Sequence, residues 1–182
     1  MLRQESAGSS PAIVSSALWY VIYVKARHEK RAYASLTERG IEAYLPMREE
    51  VHQWSDRKKR VTVPLFSCYV FVRTVPREFQ KVYLTEGFVR FVSANGMPSV
   101  VRDDELEKVR RLTEEYPADI EVLEGDYAGR EAEIASGPLA GLRGKIVELV
   151  DGKRFVVMIE GLNKLLRVKV PAGAVKIREI RS

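Results

Sequence analysis

Histidine and cysteine are nearly missing from this chain of 182 residues, which has only His28, His52 and Cys68. A single thiol excludes an internal disulfide, and two distant histidines leave no cluster with metal-ligand spacing. Neither a metal nor another cofactor is expected. Also lacking are a glycine-rich phosphate loop of known spacing, a nucleophile elbow and a paired-histidine motif. Carboxylates such as Glu49, Glu50, Asp103 and Asp104 are all that an enzyme reading could draw on, so no catalytic residue is assigned and no enzyme is expected. No apolar run is long enough to cross a bilayer, and the polar opening segment has no signal-peptide core. These absences predict a cytoplasmic protein with no membrane partner, and a monomer is the simplest state.

What is present is a globular composition, 46% hydrophobic and 30% charged, enough for one or two small cores. The net charge of +5 permits contact with nucleic acid without requiring it. Residues 18–112 hold 18 Lys/Arg against 12 Asp/Glu, whereas residues 121–182 hold 11 against 9, so the excess lies in the first part.

The pattern along the chain predicts an α+β fold. Residues 1–17, with Ser6-Ala7-Gly8-Ser9-Ser10-Pro11, show no hydrophobic periodicity and read as a disordered tail. Trp19 to Val24 is apolar throughout and suits a central strand buried on both faces. Arg27 to Arg39 spaces Ala32 and Leu36 as a helix does and stops at Gly40. Glu50–Gln53 and Val61–Val63 read as hairpin arms, which places Arg57-Lys58-Lys59-Arg60 at an exposed tip. A strand over 65–73, a short helix opened by Pro76, a strand over 89–92, a turn at Asn95-Gly96 and a helix capped by Asp103 or Asp104 complete a domain over 18–112. Residues 113–123, polar and carrying Pro117, read as a linker. Residues 124–182 change texture to five short strands, the signature of a small barrel, with a hairpin at Asp151-Gly152. Gly137, Gly141 and Gly144 punctuate its first connection, where the structural reading, a tight turn or a close approach, outweighs a binding role.

The aromatic run Val63-Pro64-Leu65-Phe66-Ser67-Cys68-Tyr69-Val70-Phe71-Val72 follows directly on the basic cluster. Its aromatics can be core or an interface; Tyr69 and Phe71 share a parity, and Phe66 joins them only if the chain bends at Ser67-Cys68.

These residues resemble the NusG family of transcription elongation factors, and more closely its specialised RfaH- and UpxY-like branch. An NGN-like domain is suggested by Trp19-Tyr20, Leu45-Pro46, Pro64-Leu65-Phe66, Tyr69-Val70-Phe71-Val72, Gly96-Met97-Pro98 and Asp103-Asp104-Glu105-Leu106. A KOW-like, SH3-type five-stranded barrel is suggested by Gly125-Asp126 and by Ser136-Gly137-Pro138-Leu139-Ala140-Gly141-Leu142-Arg143-Gly144-Lys145-Ile146-Val147. The resemblance implies an NGN-like antiparallel sheet with flanking helices that docks on the clamp helices of RNA polymerase through Phe66, Tyr69 and Phe71, with Tyr23 and Phe91 beside them. It implies regulation of pausing or termination, including antitermination, at selected operons.

Non-template DNA or nascent RNA is the implied nucleic-acid partner, met by Lys25, Arg27, Arg31, Arg39, Arg57, Lys58, Lys59 and Arg60; a solvated charged face is the plainer alternative for each. Positions that match the base-reading residues of RfaH hold Ser35, Glu38, Thr85 and Glu86, a different set. Ser67-Cys68 replaces the Pro-Gly usual in general NusG proteins, which changes what holds the bend. The KOW-like domain implies a small ribosomal protein or Rho as partner. Its β-branched residues, among them Ile134, Val156, Val157 and Ile159, predict strands in the free protein. The competing reading is a KOW-type RNA-binding or ribosome-associated protein whose aromatic strand is only core.

Overall fold

The computed structural model describes residues 16–53, 58–123, 130–149, 152–170 and 177–179. Most of the expected tail therefore lies outside the described residues. The β-branched and aromatic run Leu18–Val24 forms β1, the central strand of the N-terminal sheet. Helix α1 (Glu29–Glu38) and strand β2 (Glu42–Tyr44) follow, then a two-stranded ribbon of β3 (Met47–Gln53) and β4 (Lys58–Pro64). After β5 (Tyr69–Thr74) come a 3-10 turn at Pro76–Glu78, the five-residue helix α2 (Phe79–Tyr83) and β6 (Phe88–Phe91). Two-residue strands β7 (Ser93–Ala94), β8 (Met97–Pro98) and β9 (Val100–Val101) lead to α3 (Asp103–Glu115). Asn95 and Gly96 both take positive φ and close the β7–β8 pair, as expected of that dipeptide.

The N-terminal sheet is antiparallel in the order β2-β5-β1-β6, with β9 also paired to β1. Its two faces follow from the period of two along β1. Tyr20, Ile22 and Val24 turn to one face, where Ala32 and Leu36 of α1 and Val82 of α2 complete a buried cluster. Trp19 and Val21 turn to the other, where Phe71 and α3 residues Leu106, Val109 and Leu112 bury them. The uniformly apolar sequence of β1 is thus explained by cover on both sides.

Strands β10 (Ile120–Leu123), β11 (Arg130–Ile134), β12 (Arg143–Leu149), β13 (Gly152–Ile159), β14 (Lys164–Val170) and β15 (Ile177–Glu179) form a second antiparallel sheet in the order β10-β14-β13-β12-β11-β15. A 3-10 turn at Glu160–Leu162 joins β13 to β14. The fold is mixed α and β with antiparallel sheets and few helices, as the sequence predicts, and the C-terminal part is in strands. Among the described residues this sheet has six strands where the sequence predicts five. The additional one is β10, inside the segment expected to be a linker. The first three residues of that segment, 113–115, extend α3, so only Tyr116–Asp119 lie between helix and strand. Ile120 is buried and Val122 half-buried once β14 lies opposite, a pairing that the short segment alone does not announce.

The ribbon also differs from expectation. Lys58, Lys59 and Arg60 belong to β4, paired with Gln53, His52 and Val51, rather than to a tip. Arg57 lies outside the described residues.

Candidate functional site

The aromatic segment builds one end of the N-terminal sheet. Cys68 adopts φ 68°, a left-handed conformation that costs a non-glycine residue roughly 1–3 kcal/mol. Its N–H donates to Glu29 Oε1 at 2.7 Å, and its carbonyl accepts from Val24 N–H at 2.8 Å, so α1 and β1 together hold the bend. The bend reverses the parity that separated Phe66 from the strand: the Phe66 and Phe71 rings meet at 5.9 Å. Phe66, Phe71, Tyr69 and Tyr23 therefore share a side. Phe91 does not. Its ring packs with Tyr20, Phe79, Tyr83 and Phe88 on the α1/α2 face, because it pairs with Ile22 and takes that residue's parity. The expectation that Phe91 stands beside the other four is corrected accordingly.

Exposure divides the remaining aromatics. Phe66 and Phe71 are buried in a cluster that runs without a break into Ile120, Phe155, Val157, Leu166 and Val168 of the C-terminal sheet. Tyr23 and Tyr69 are half-buried at the rim. They oppose each other across β1 and β5, their rings 5.5 Å apart and edge-to-face. On the other side Tyr23 pairs with Arg90 of β6, whose guanidinium lies 5.3 Å from the Tyr23 ring centre. Tyr69, Tyr23 and Arg90 thus form a row across three strands. A hydrogen bond with the Cys68 thiol, with smaller contributions from its charge, from desolvation and from Tyr69, holds the Tyr23 phenol above its ordinary pKa despite Arg90. A cleft of about 580 Å³ opens beside the row, with Phe66, Tyr23 and Tyr69 on one wall and Glu121, Val122 and Lys164 of the C-terminal sheet on the other.

Polar contacts close the two parts on the opposite side. Glu105 is buried, and its two oxygens serve different halves. Oε2 accepts from Arg102 N–H at 3.0 Å, capping α3, and Oε1 accepts from Glu160 N–H at 2.6 Å. Arg102 Nη1 donates to Glu160 Oε2 at 3.0 Å, and Arg111 Nη2 donates to the carbonyls of Pro138 and Ala140 at 2.7 and 2.8 Å. Burial of the Glu105 carboxylate makes its two bonds stronger than the exposed Arg102–Glu160 pair. Burial acts to raise the Asp104 carboxyl, but Lys108 and Arg102 outweigh it and hold the group below its usual range.

The candidate nucleic-acid residues fall in two places. Lys25, Arg27, Arg31 and Arg39 are exposed around α1, and Arg31 pairs with Glu86 at 3.6 Å. Lys58, Lys59 and Arg60 are exposed on β4, with Arg60 3.4 Å from Glu49. Glu86 N–H donates to Ser35 Oγ at 3.3 Å, so these two meet, whereas Thr85 is buried and Glu38 is exposed. Sequence reasoning missed Arg90, Glu105 and Arg111. Arg90 could have been found from its alternation with Phe91; the other two act on backbone groups, which leave no motif. Among the described residues no three His, Cys, Asp or Glu side chains gather as metal ligands, and no helix is long and apolar enough to cross a membrane.

The family described as transcription termination factor nusG matches residues 17–110. The transcription termination/antitermination protein NusG of Staphylococcus carnosus is 25% identical over 175 residues, covering 86% of this chain and 93% of that protein. The solved structure of Thermotoga maritima NusG, which concerns its domain interaction, superposes with a TM-score of 0.56 at 22% identity, covering 91% of this chain and 98% of that one. With more than half its length inside the family match and the corresponding fold at both ends, the chain belongs to the NusG family of transcription termination and antitermination factors.

Proposed function

We propose that the chain is an elongation factor that binds RNA polymerase through the face formed by Tyr23, Phe66, Tyr69 and Phe71, and that it modulates pausing and termination, with antitermination at selected operons. The observation that carries this reading is an aromatic face with no catalytic constellation around it among the described residues, half-exposed at one end and covered at its centre by α3 and the C-terminal sheet. Aromatic side chains set in a concavity are the usual energetic anchors of a protein interface, each worth about 2 kcal/mol or more. The clamp helices of the polymerase are the partner that the family resemblance supplies. Full docking requires the C-terminal sheet to leave Phe66 and Phe71. The exposed cations at α1 and β4 then give a salt-sensitive attraction to non-template DNA or nascent RNA. Once free, the C-terminal sheet takes a protein partner such as a small ribosomal protein or Rho. Serine and cysteine at the bend, in place of Pro-Gly, support a specialised member of the family.

Equilibrium binding to purified core RNA polymerase tests the reading. Wild type, Tyr69→Ala and the double variant Glu105→Gln with Arg111→Ala are compared, each checked for folding by circular dichroism. The expected order is tightest for the double variant, intermediate for wild type and weakest for Tyr69→Ala. Absence of binding in all three, beside tight RNA binding by the full chain, replaces this reading with an RNA-binding one.

A further inference from the structure

The two parts meet differently on their two sides. On the α3 side hydrogen bonds bridge them around a cleft of about 370 Å³: Glu105 to Glu160, Arg102 to Glu160, and Arg111 to Pro138 and Ala140. On the side where β5, β1 and β6 end, the same two parts stand apart across the 580 Å³ cleft. Of the row, half-buried Tyr69 and Tyr23 line that cleft, and exposed Arg90 stands over the Tyr23 ring. We propose that this row is a landing surface that the partner reaches while the C-terminal sheet is still docked, so that binding precedes opening instead of waiting for it.

The occupant that fits is a helix with an apolar edge flanked by carboxylates. Tyr23 and Tyr69 meet edge-to-face and offer flat apolar area that loses little entropy on binding. The charge beside them is of one sign: Arg90 lies over Tyr23, and exposed Lys25 and Arg27 continue β1. Glu29, whose carboxylate reaches this wall, is buried and committed to Cys68 N–H. On the facing wall Glu121 pairs with Arg167. A helix seated on the row lies against Phe66, which lines the same cleft, so its advance meets the edge of the covered surface directly. The partner's binding energy then acts at the edge of this cleft and levers the α3 contacts open. Whether opening follows binding or precedes it shows only in the rates, since both orders end in the same complex.

The identity of the partner rests on the polymerase reading above, and the experiment separates the two. Association of full-length protein with core RNA polymerase is followed by stopped-flow fluorescence for wild type, Tyr69→Ala and Arg90→Ala. The same two substitutions are also placed in the Glu105→Gln, Arg111→Ala background, whose opening is checked by small-angle scattering. If landing comes first, Tyr69→Ala and Arg90→Ala each slow association of the closed chain by about tenfold. In the open background they act mainly on dissociation. Unchanged association of the closed chain with both substitutions, while the open chain binds at least tenfold faster than wild type, overturns the landing surface and leaves the polymerase reading standing. No binding by the open chain overturns both.

Discussion

A single backbone angle decides how the aromatic segment is used. Cys68 sits at φ 68°, where glycine is unstrained, so Cys68→Gly is expected to raise stability by up to about 1 kcal/mol, read as a higher urea midpoint at unchanged slope. Gly144 is the opposite case. A Cβ there would lie 2.3 Å from the Val156 carbonyl oxygen, and backbone cannot step aside. Gly144→Ala is expected to destabilise by about 1–3 kcal/mol in a thermal melt, and the close approach explains that glycine without a ligand. Phe71 is fully buried, so Phe71→Ala costs about 3–5 kcal/mol and cannot by itself diagnose an interface, whereas Tyr69→Ala can. Tyr69 and Phe71 are legible in the sequence as a pair but not in their difference, because parity assigns a face and says nothing of what covers it.

Burial also sets a pH response. Desolvation raises the Tyr44 phenol, outweighing the hydrogen bond to Thr113 and the nearby Arg110. The folded state therefore keeps Tyr44 neutral at pH values where the unfolded chain already ionises. Stability is unaffected below the ordinary phenol pKa of about 10 and falls as pH rises from there towards the folded value. Melting temperatures at pH 9 and pH 11 should differ less for Tyr44→Phe than for wild type.

Among the elements, β3 and β4 show how a strand rearranges a charge cluster. Arg57 to Arg60 reads as one basic patch, yet within β4 the side chains alternate, placing Lys58 and Arg60 on one face and Lys59 on the other. Lys58→Ala with Arg60→Ala should weaken binding to a single-stranded oligonucleotide and lower the slope of log affinity against log salt by about 1.4, at roughly 0.7 per phosphate contact. An unchanged slope would make this face merely solvated. Helices α1 and α3 are readable from their helical spacing, and strand β1 from an unbroken run of β-branched and aromatic residues. Strand β10 is not, since four residues after Pro117 carry no period until Leu165 to Val168 lie opposite.

At the scale of the whole molecule, the covering of the aromatic centre has no sequence signal. Both surfaces are apolar for reasons each half already has, and the polar contacts use the carbonyls of Pro138 and Ala140 and the N–H of Glu160. The strand content of the C-terminal part is legible in its β-branched residues, but strands do not imply separation: the sheet is docked as it stands. Glu105→Gln with Arg111→Ala should increase the radius of gyration and speed proteolysis at Tyr116–Asp119, with the strand signal in circular dichroism unchanged.

Glu105 ties two events into one. The carboxylate that starts α3 is the one that receives the far sheet, so departure of that sheet leaves one of its oxygens to water and loosens the hold on the first helical turn. The amide protons of Arg102 and Glu160, far apart in the chain, should therefore exchange with deuterium in concert, a built-in gauge of whether the protein is shut.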